Sequence, residues 1–455
     1  PDSARTKKNP GPTAGQQQRK KEQIVRKQAP SDNGQGTKTI QRSTKNTRSS
    51  QKQKKKENKE KLEAKYSRNL DPLPPTIDGS HFPHNNPNLF KEQIVIGEAE
   101  LGIPRQILEK DYWLTLSLWA LHECGLTIEM KGGSSLAKGF GAISRISEDV
   151  DFSIIHCTGL ARDVNLQPLP IGVPISNQTK EKWFKRLESI LKNNIPGATV
   201  RMNDADDIFF CEDYSNCTFW VQYESLFPEC YGAVELNSNF PFVLLEVNAS
   251  PCSLLPRYLK YSKYYRLSRS ISPLLRNSHT ELIWPEVSVQ CVHPTITIVQ
   301  KIYDCLVHRY KRPIDKPVKP KQNRNPPALF DERNVRHFED CAEAILALQN
   351  EAISPPLPSV KLKQFQGWPF LSAEDIACHP NRLVKHLMNN NVLRVRKFEK
   401  MANTESICYH SPATNRKWAK YEECYTLRAP YHWGERKTLQ ECSEIISAWL
   451  TSNKL

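Results

Sequence analysis

Large apolar residues are sparse over the first 70 positions of this chain and periodic thereafter. The first stretch is dominated by Lys, Arg, Gln, Ser and Asn. A segment of that kind cannot bury enough apolar surface to offset the entropy of ordering it, so 1–80 reads as a disordered basic arm. From about Pro83 the pattern becomes that of a folded chain. Ile107, Leu108, Tyr112, Leu114, Leu118 and Leu121 recur at roughly helical spacing and predict a helix from Pro104 to Glu123, with proline in its first turn and Gly125 beyond its end. Leu126 to Met130 alternates as a short strand does. Gly132 and Gly133 form a turn, Ser135 to Phe140 a short helix, and Val150 to Ile155 a second strand with Asp149 at its start.

A helix is expected over Thr179 to Asn193. β-Branched and aromatic residues then mark strands at Ala198–Met202, Ile208–Phe210, Thr218–Tyr223 and Phe242–Val247. Beyond His293 the period turns helical, over Thr295 to Tyr310 and again over Val335 to Asn350. Proline-rich loops are expected at Lys311–Pro327 and at 351–364. Further helices are expected at Ala373–Met388 and Leu439–Leu450. Strands grouped among flanking helices indicate an α+β fold with a mixed sheet. The division that follows is an arm at 1–80, a core at 81–290 and a mainly helical C-terminal region at 291–455.

Charge sharpens this division. Residues 1–70 hold 20 Lys and Arg against 6 Asp and Glu, a net +14, while the rest holds 44 against 43. The basic character of the protein thus resides in the arm. Such an arm attracts polyanions by counterion release, RNA and DNA among them, with strong salt dependence. The run Gln51 to Lys61 also has the composition of a nuclear import signal, and a cytoplasmic or nuclear setting is expected. The 13 cysteines are scattered singly, without Cys-x-x-Cys spacing, which suits reduced thiols better than a disulfide framework or zinc ribbon. No apolar run approaches the length of a membrane-spanning helix, and no hydrophobic N-terminal signal is seen.

The candidate chemistry lies between residues 128 and 155. A strand leads into Gly132-Gly133-Ser134-Ser135, where small residues let a backbone approach a phosphate. After a loop, Asp149-Val150-Asp151 places two carboxylates at alternate positions of a strand, both on one face, with Val150 turned to the core. Two hard oxygen ligands so placed suit Mg2+ or Mn2+. Two such metals are a common solution to transfer of a nucleotide from a nucleoside triphosphate. Either motif alone is common; the order strand, Gly-Gly-Ser, short helix, loop, Asp-x-Asp is far more specific.

The run Lys131-Gly-Gly-Ser-Ser-Leu-Ala-Lys-Gly-Phe140, followed by Arg145-Ile-Ser-Glu-Asp-Val-Asp-Phe152, resembles the signature of the AbiEii/AbiGii nucleotidyltransferase toxins, of the DNA polymerase β-like superfamily. Their usual form is Lys-Gly-Gly-Thr-Ser-Leu-Ser-Lys-Gly-Tyr and then Arg-Phe-Ser-Glu-Asp-Ile-Asp-Leu. Lys110-Asp-Tyr-Trp113 is similar to the family's lead-in helix. The resemblance covers roughly 104–350 and implies a polymerase β-like core. It implies a third carboxylate, for which Glu246 is the candidate, since an acid inside an apolar strand needs a reason. Thr297-Ile-Val-Gln-Lys301 resembles a Thr-x-x-Glu-Lys motif whose lysine touches the triphosphate, with Gln300 in place of Glu. Arg336-His-Phe-Glu-Asp340 resembles Arg-[Asp/His]-x-Tyr-Asp, with Glu339 in place of Tyr.

The resemblance thus implies metal ligands Asp149, Asp151 and Glu246, a catalytic set completed by Lys301 and Asp340, and a nucleotide site of Gly132, Gly133, Ser134, Ser135, Lys138 and Lys301. Arg145 and Lys131 are candidates to neutralise phosphate. The implied activity is nucleotide transfer to RNA, the transfer RNA 3′ end included, and an antitoxin-type protein partner is a further implication. Two other classes fit parts of the pattern. One is a non-catalytic RNA-binding or viral structural protein that retains the fold, which arm deletion would separate from an enzyme. The other is a phosphotransferase, separated by whether pyrophosphate or a nucleoside diphosphate is released.

Overall fold

The computed structural model describes residues 81–147, 149–158, 166, 175–204, 214, 216–231, 241–248, 266–275, 282–311, 335–353, 421–426, 429 and 432–452. The basic arm, the strand expected at Ile208–Phe210, the helix expected at Ala373–Met388 and nearly all of the two proline-rich loops lie outside them.

A short helix, α1 (Pro87–Leu101), opens the described fold. Asn86 caps it by accepting from the Leu89 amide at 3.4 Å, and Gly102 ends it with φ of +64°. The next helix, α2 (Arg105–Glu123), is buried on nearly every face. It lies across the sheet, and its buried carboxylates are satisfied inside. Glu109 accepts from Ser225 Oγ and the Leu226 amide, both at 2.7 Å. Asp111 accepts from the Leu274 amide at 2.6 Å.

The sheet has seven strands: β1 (Leu126–Lys131), β2 (Asp149–Cys157), β3 (Ala198–Met202), β4 (Asn216–Tyr223), β5 (Phe242–Asn248), β6 (Arg266–Ile271) and β7 (Val287–Val292). Their spatial order is β3-β4-β5-β2-β1-β7-β6. Pairing is mixed: β2 runs parallel to β5 and β1 parallel to β7, while the other neighbours are antiparallel. Alternation decides which side chains enter the core. Val150, Phe152 and Ile154 of β2 pack inward with Val243, Leu245 and Val247 of β5. Helix α3 (Asn177–Asn194) buries Trp183, Phe184, Leu187, Ile190 and Leu191, and its Ser176 cap accepts from the Thr179 amide.

Beyond the sheet, α4 (Pro294–Lys311) packs against α5 (Arg336–Gln349), which packs in turn on α6 (Leu439–Ser452). The mixed sheet with flanking helices is the α+β architecture expected from the pattern. The expected helices and strands that fall on described residues are present, with ends shifted by one or two residues. Among the described residues, the helix α1 and the strands β6 and β7 went unread in the sequence. The short helix expected at Ser135–Phe140 begins earlier, at Gly132, and widens into a π-type turn over Ser135–Gly139. Cys124, Cys157, Cys217, Cys291, Cys341, Cys424 and Cys442 are buried thiols outside any disulfide, and Cys230 is a half-buried one. Among the described residues no helix is long and apolar enough to cross a membrane.

Candidate active site

The strand register assembles three carboxylates. Asp149 and Asp151 are two apart on β2, both half-buried, with Val150 between them fully buried. Across the parallel β2–β5 pair Asp151 stands opposite Glu246. Carboxylate oxygens of Asp149, Asp151 and Glu246 lie within 4.8 Å of one another. The convergence expected from sequence is therefore present.

The turn after β1 adjoins this group. Lys131 is the register partner of Asp151. Gly132 has φ of +69°, and a Cβ there would lie 2.5 Å from Asp151 Oδ2. A Cβ on Gly133 would lie 2.8 Å from Ser147 Oγ and 3.0 Å from an Arg145 nitrogen. Both glycines thus make room for site side chains. Ser134 Oγ donates to the Asp149 carbonyl and fastens the turn to β2.

Charge in the site is unevenly distributed. Burial pushes all three carboxyls up. At Asp149 this is outweighed by Arg336, whose Nη2 lies 3.3 Å from Oδ2, by a hydrogen bond from Ser147 at 3.0 Å, and by Arg145 and Lys301; its carboxyl is held below the usual range. Asp151 is raised by burial and by the Asp149 charge. Glu246 is raised well above the ordinary carboxylate range by burial, Asp151 and Asp149. Three converging acids that disfavour one another's ionisation form a donor set suited to a hard divalent cation.

Lys301 and Asp340 form a second layer. Burial alone would raise Asp340, but Arg145 and Lys301 hold its carboxyl far below the usual range. Arg145 donates to both of its oxygens, at 2.6 and 2.8 Å, and Lys301 Nζ lies 2.8 Å from Oδ2. Lys301 also donates to His337 Nδ1 at 3.0 Å. Burial first, then Lys301 and Arg336, drive the His337 pKa well down, so its ring is a neutral acceptor. Arg145, a candidate phosphate neutraliser from sequence, is instead the fixed partner of Asp340.

Two expected nucleotide contacts have side chains turned into the interior. Lys138 pairs with Asp111 of α2 at 2.5 Å, both buried. Ser135 is fully buried and turned to the Cys291 thiol. Arg336, Ser147 and His337 fall within the motifs quoted from the sequence, which gave them no role. Arg336 left a signal: a cation at a helix N-terminus opposes the macrodipole and calls for an anion nearby, here Asp149. Another group brings together oxygens of Glu339 and Glu343 with His432, within 4.8 Å, across some 90 positions of chain.

Residues 123–313 match the family described as "Nucleotidyl transferase AbiEii toxin, Type IV TA system". Among solved structures the chain is similar to MenT4, a nucleotidyltransferase toxin from Mycobacterium tuberculosis H37Rv, at 14% identity, covering 68% of this chain and 98% of that one, with a TM-score of 0.29. No curated protein matches. The AbiEii-type resemblance read from Lys131 to Phe152 thus holds: residues 123–313 match the model of that nucleotidyltransferase family.

Proposed function

We propose that this AbiEii-type domain transfers a nucleotide from a nucleoside triphosphate to a hydroxyl of an RNA acceptor, with two divalent metals. The observation that carries the reading is the convergence of Asp149, Asp151 and Glu246 beside the Gly132–Ser134 turn. Mg2+ or Mn2+ held there would neutralise charge on the triphosphate and lower the barrier to attack on its α-phosphate.

The chain's own residues have distinct tasks in this reading. Asp149 is ionised before any metal arrives, because Arg336 and Ser147 stabilise its anion. Asp151 and Glu246 hold protons more tightly and would release them on holding a divalent cation. Lys301 is fixed by Asp340 and His337 and presents its charge to the triphosphate. The backbone at Gly132 and Gly133 carries no side chain that would keep a phosphate away. Lys138 and Ser135 belong to the support of the turn in this arrangement. The RNA acceptor is favoured by the +14 arm, whose charge attracts polyanions. An antitoxin-type protein partner, and the division into arm, core and C-terminal region, remain part of the proposal.

Incubation with each labelled nucleoside triphosphate, Mg2+ and total RNA tests it directly. Wild-type protein should label RNA and release pyrophosphate. Asp149→Ala and Asp151→Ala should each lose at least about 100-fold in rate while keeping the fold, as removal of a metal ligand does. Undiminished labelling by Asp151→Ala would sink the assignment. Release of a nucleoside diphosphate instead would show a phosphotransferase.

A further inference from the structure

The loop before β2 is held by a part of the chain that lies beyond the family match. Trp433 donates its amide to the Ser144 carbonyl at 2.8 Å. The Ser144 amide donates to Glu343 Oε2 at 2.6 Å. His432 donates Nε2–H to the other oxygen of Glu343 at 2.5 Å, and its backbone bridges that of Arg145. The His432 side chain is 2% exposed. Next to it Arg436 donates to Glu339 Oε1 at 2.7 Å and to the Tyr425 carbonyl at 2.7 Å, and its guanidinium lies 3.6 Å from the Tyr425 ring centroid.

Glu339, Glu343 and His432 have the spacing of a metal site. Their partners argue otherwise. Glu339 is neutralised by Arg436, and Glu343 is engaged by the Ser144 amide and by His432. A cation would have to displace the protein's own donors. The group is a fastening between α5 and the loop 142–147.

That loop carries two residues on which the carboxylate site depends. Arg145 holds Asp340, which holds Lys301, and Ser147 holds Asp149. We propose that His432 is a positioning residue for the transfer site: through Glu343 and Ser144 it sets the loop so that Arg145 reaches Asp340 and Ser147 reaches Asp149. This rests on the nucleotidyltransferase reading given above. The residues it orients bind nucleotide and metal in that reading, so releasing them weakens binding before it affects turnover at saturation. Glu339, where the family's motif has tyrosine, accepts from Arg436 and from the Tyr425 hydroxyl, both of the C-terminal segment.

The test uses the full chain. In His432→Phe, which fills the space but cannot donate, the KM for nucleoside triphosphate should rise about 10-fold with kcat within about 2-fold, the size expected for loss of a hydrogen bond to a charged group. His432→Gln, which keeps a donor towards Glu343, should stay near wild type. Glu343→Gln is the second variant and should raise KM as His432→Phe does. Amide hydrogen exchange over residues 142–147 should quicken in His432→Phe and not in His432→Gln. Unchanged KM in His432→Phe, a fall in kcat alone, or equal impairment of the Phe and Gln variants would overturn the proposal. Absence of labelling by wild-type protein would remove the function reading instead. In that event equal exchange in wild type and His432→Phe would remove the loop fastening as well, and faster exchange would support it.

Discussion

At Gly132 the backbone lies in the left-handed region and the space a side chain would fill belongs to Asp151 Oδ2. An alanine there meets two costs: a conformation that L residues disfavour, and an overlap relieved only by moving the carboxylate. Gly132→Ala should therefore destabilise the fold by about 1–3 kcal/mol. It should lower nucleotide transfer by considerably more than that loss of stability alone would cause, since Asp151 is displaced. Urea unfolding and initial rates on the same preparation check this, and wild-type activity in the variant would contradict it. The three carboxylates show what a single residue's surroundings decide. Asp149, Asp151 and Glu246 are chemically alike, yet Arg336 and Ser147 hold the first ionised while the other two are raised. The Asp-x-Asp spacing and the glycine turn were legible in the sequence because they are local. The pairing of Arg336 with Asp149, 187 positions away, was not.

Among the elements, α4 carries the most informative boundary. His293 precedes its Pro294 and accepts from the Thr295 amide through Nδ1 at 3.3 Å, as an N-cap does. Burial, with Arg269 adding to it, lowers the His293 pKa from the usual 6.5 to about 4. The unfolded chain then takes up a proton before the folded one. Stability is full above about pH 6.5, falls as pH drops towards 4, and changes no further below that from this group. The contribution amounts to about 2 kcal/mol lost between pH 7 and pH 5. In His293→Asn, which keeps a capping oxygen but does not titrate, the fall between those pH values should shrink by about that amount in urea unfolding. An unchanged slope would rule it out. The elements that escaped the sequence reading had signals of differing kinds. In α1 the buried Phe90, Gln93, Ile94 and Gly97 keep helical spacing, but a glutamine and a glycine stand among them, so hydrophobicity alone is silent. In β7 Val287, Val289 and Cys291 alternate with Ser288 and Gln290 as a strand requires. β6 has only Leu267 and Ile271 as large apolar residues, and its place is set by pairing with β7.

For the whole molecule the relevant division is between charge and chemistry. The +14 arm is distant in sequence from Asp149 and Asp151, and the remainder of the chain is nearly neutral. Removal of residues 1–70 should leave nucleotide transfer intact. It should weaken RNA binding at least about 10-fold at low salt, with the difference vanishing near about 0.5 M salt, because arm contacts are electrostatic. Titrations of labelled RNA at two ionic strengths measure this. Equal affinity with and without the arm would leave it no part in RNA recognition. The far end of the chain behaves differently. Residues 432–436 reach back to Ser144, Glu339 and Glu343, so the C-terminal segment belongs to the same packed structure as the site.

The sequence by itself determined the α+β class, most helices and strands, the glycine turn and the paired aspartates. These depend on periods of two and 3.6 and on neighbours within a few residues, which a linear pattern records. The family of residues 123–313 was legible for the same reason, since its signature is nearly contiguous. Only the tertiary structure decided which partner each charge received. It set Glu246 opposite Asp151 through strand register, Arg145 against Asp340, Lys138 against Asp111, and His432 against Glu343. Such pairings are chosen by burial, where an unpaired charge costs several kcal/mol or about that. The partner that relieves the cost can come from any part of the chain that the fold brings near.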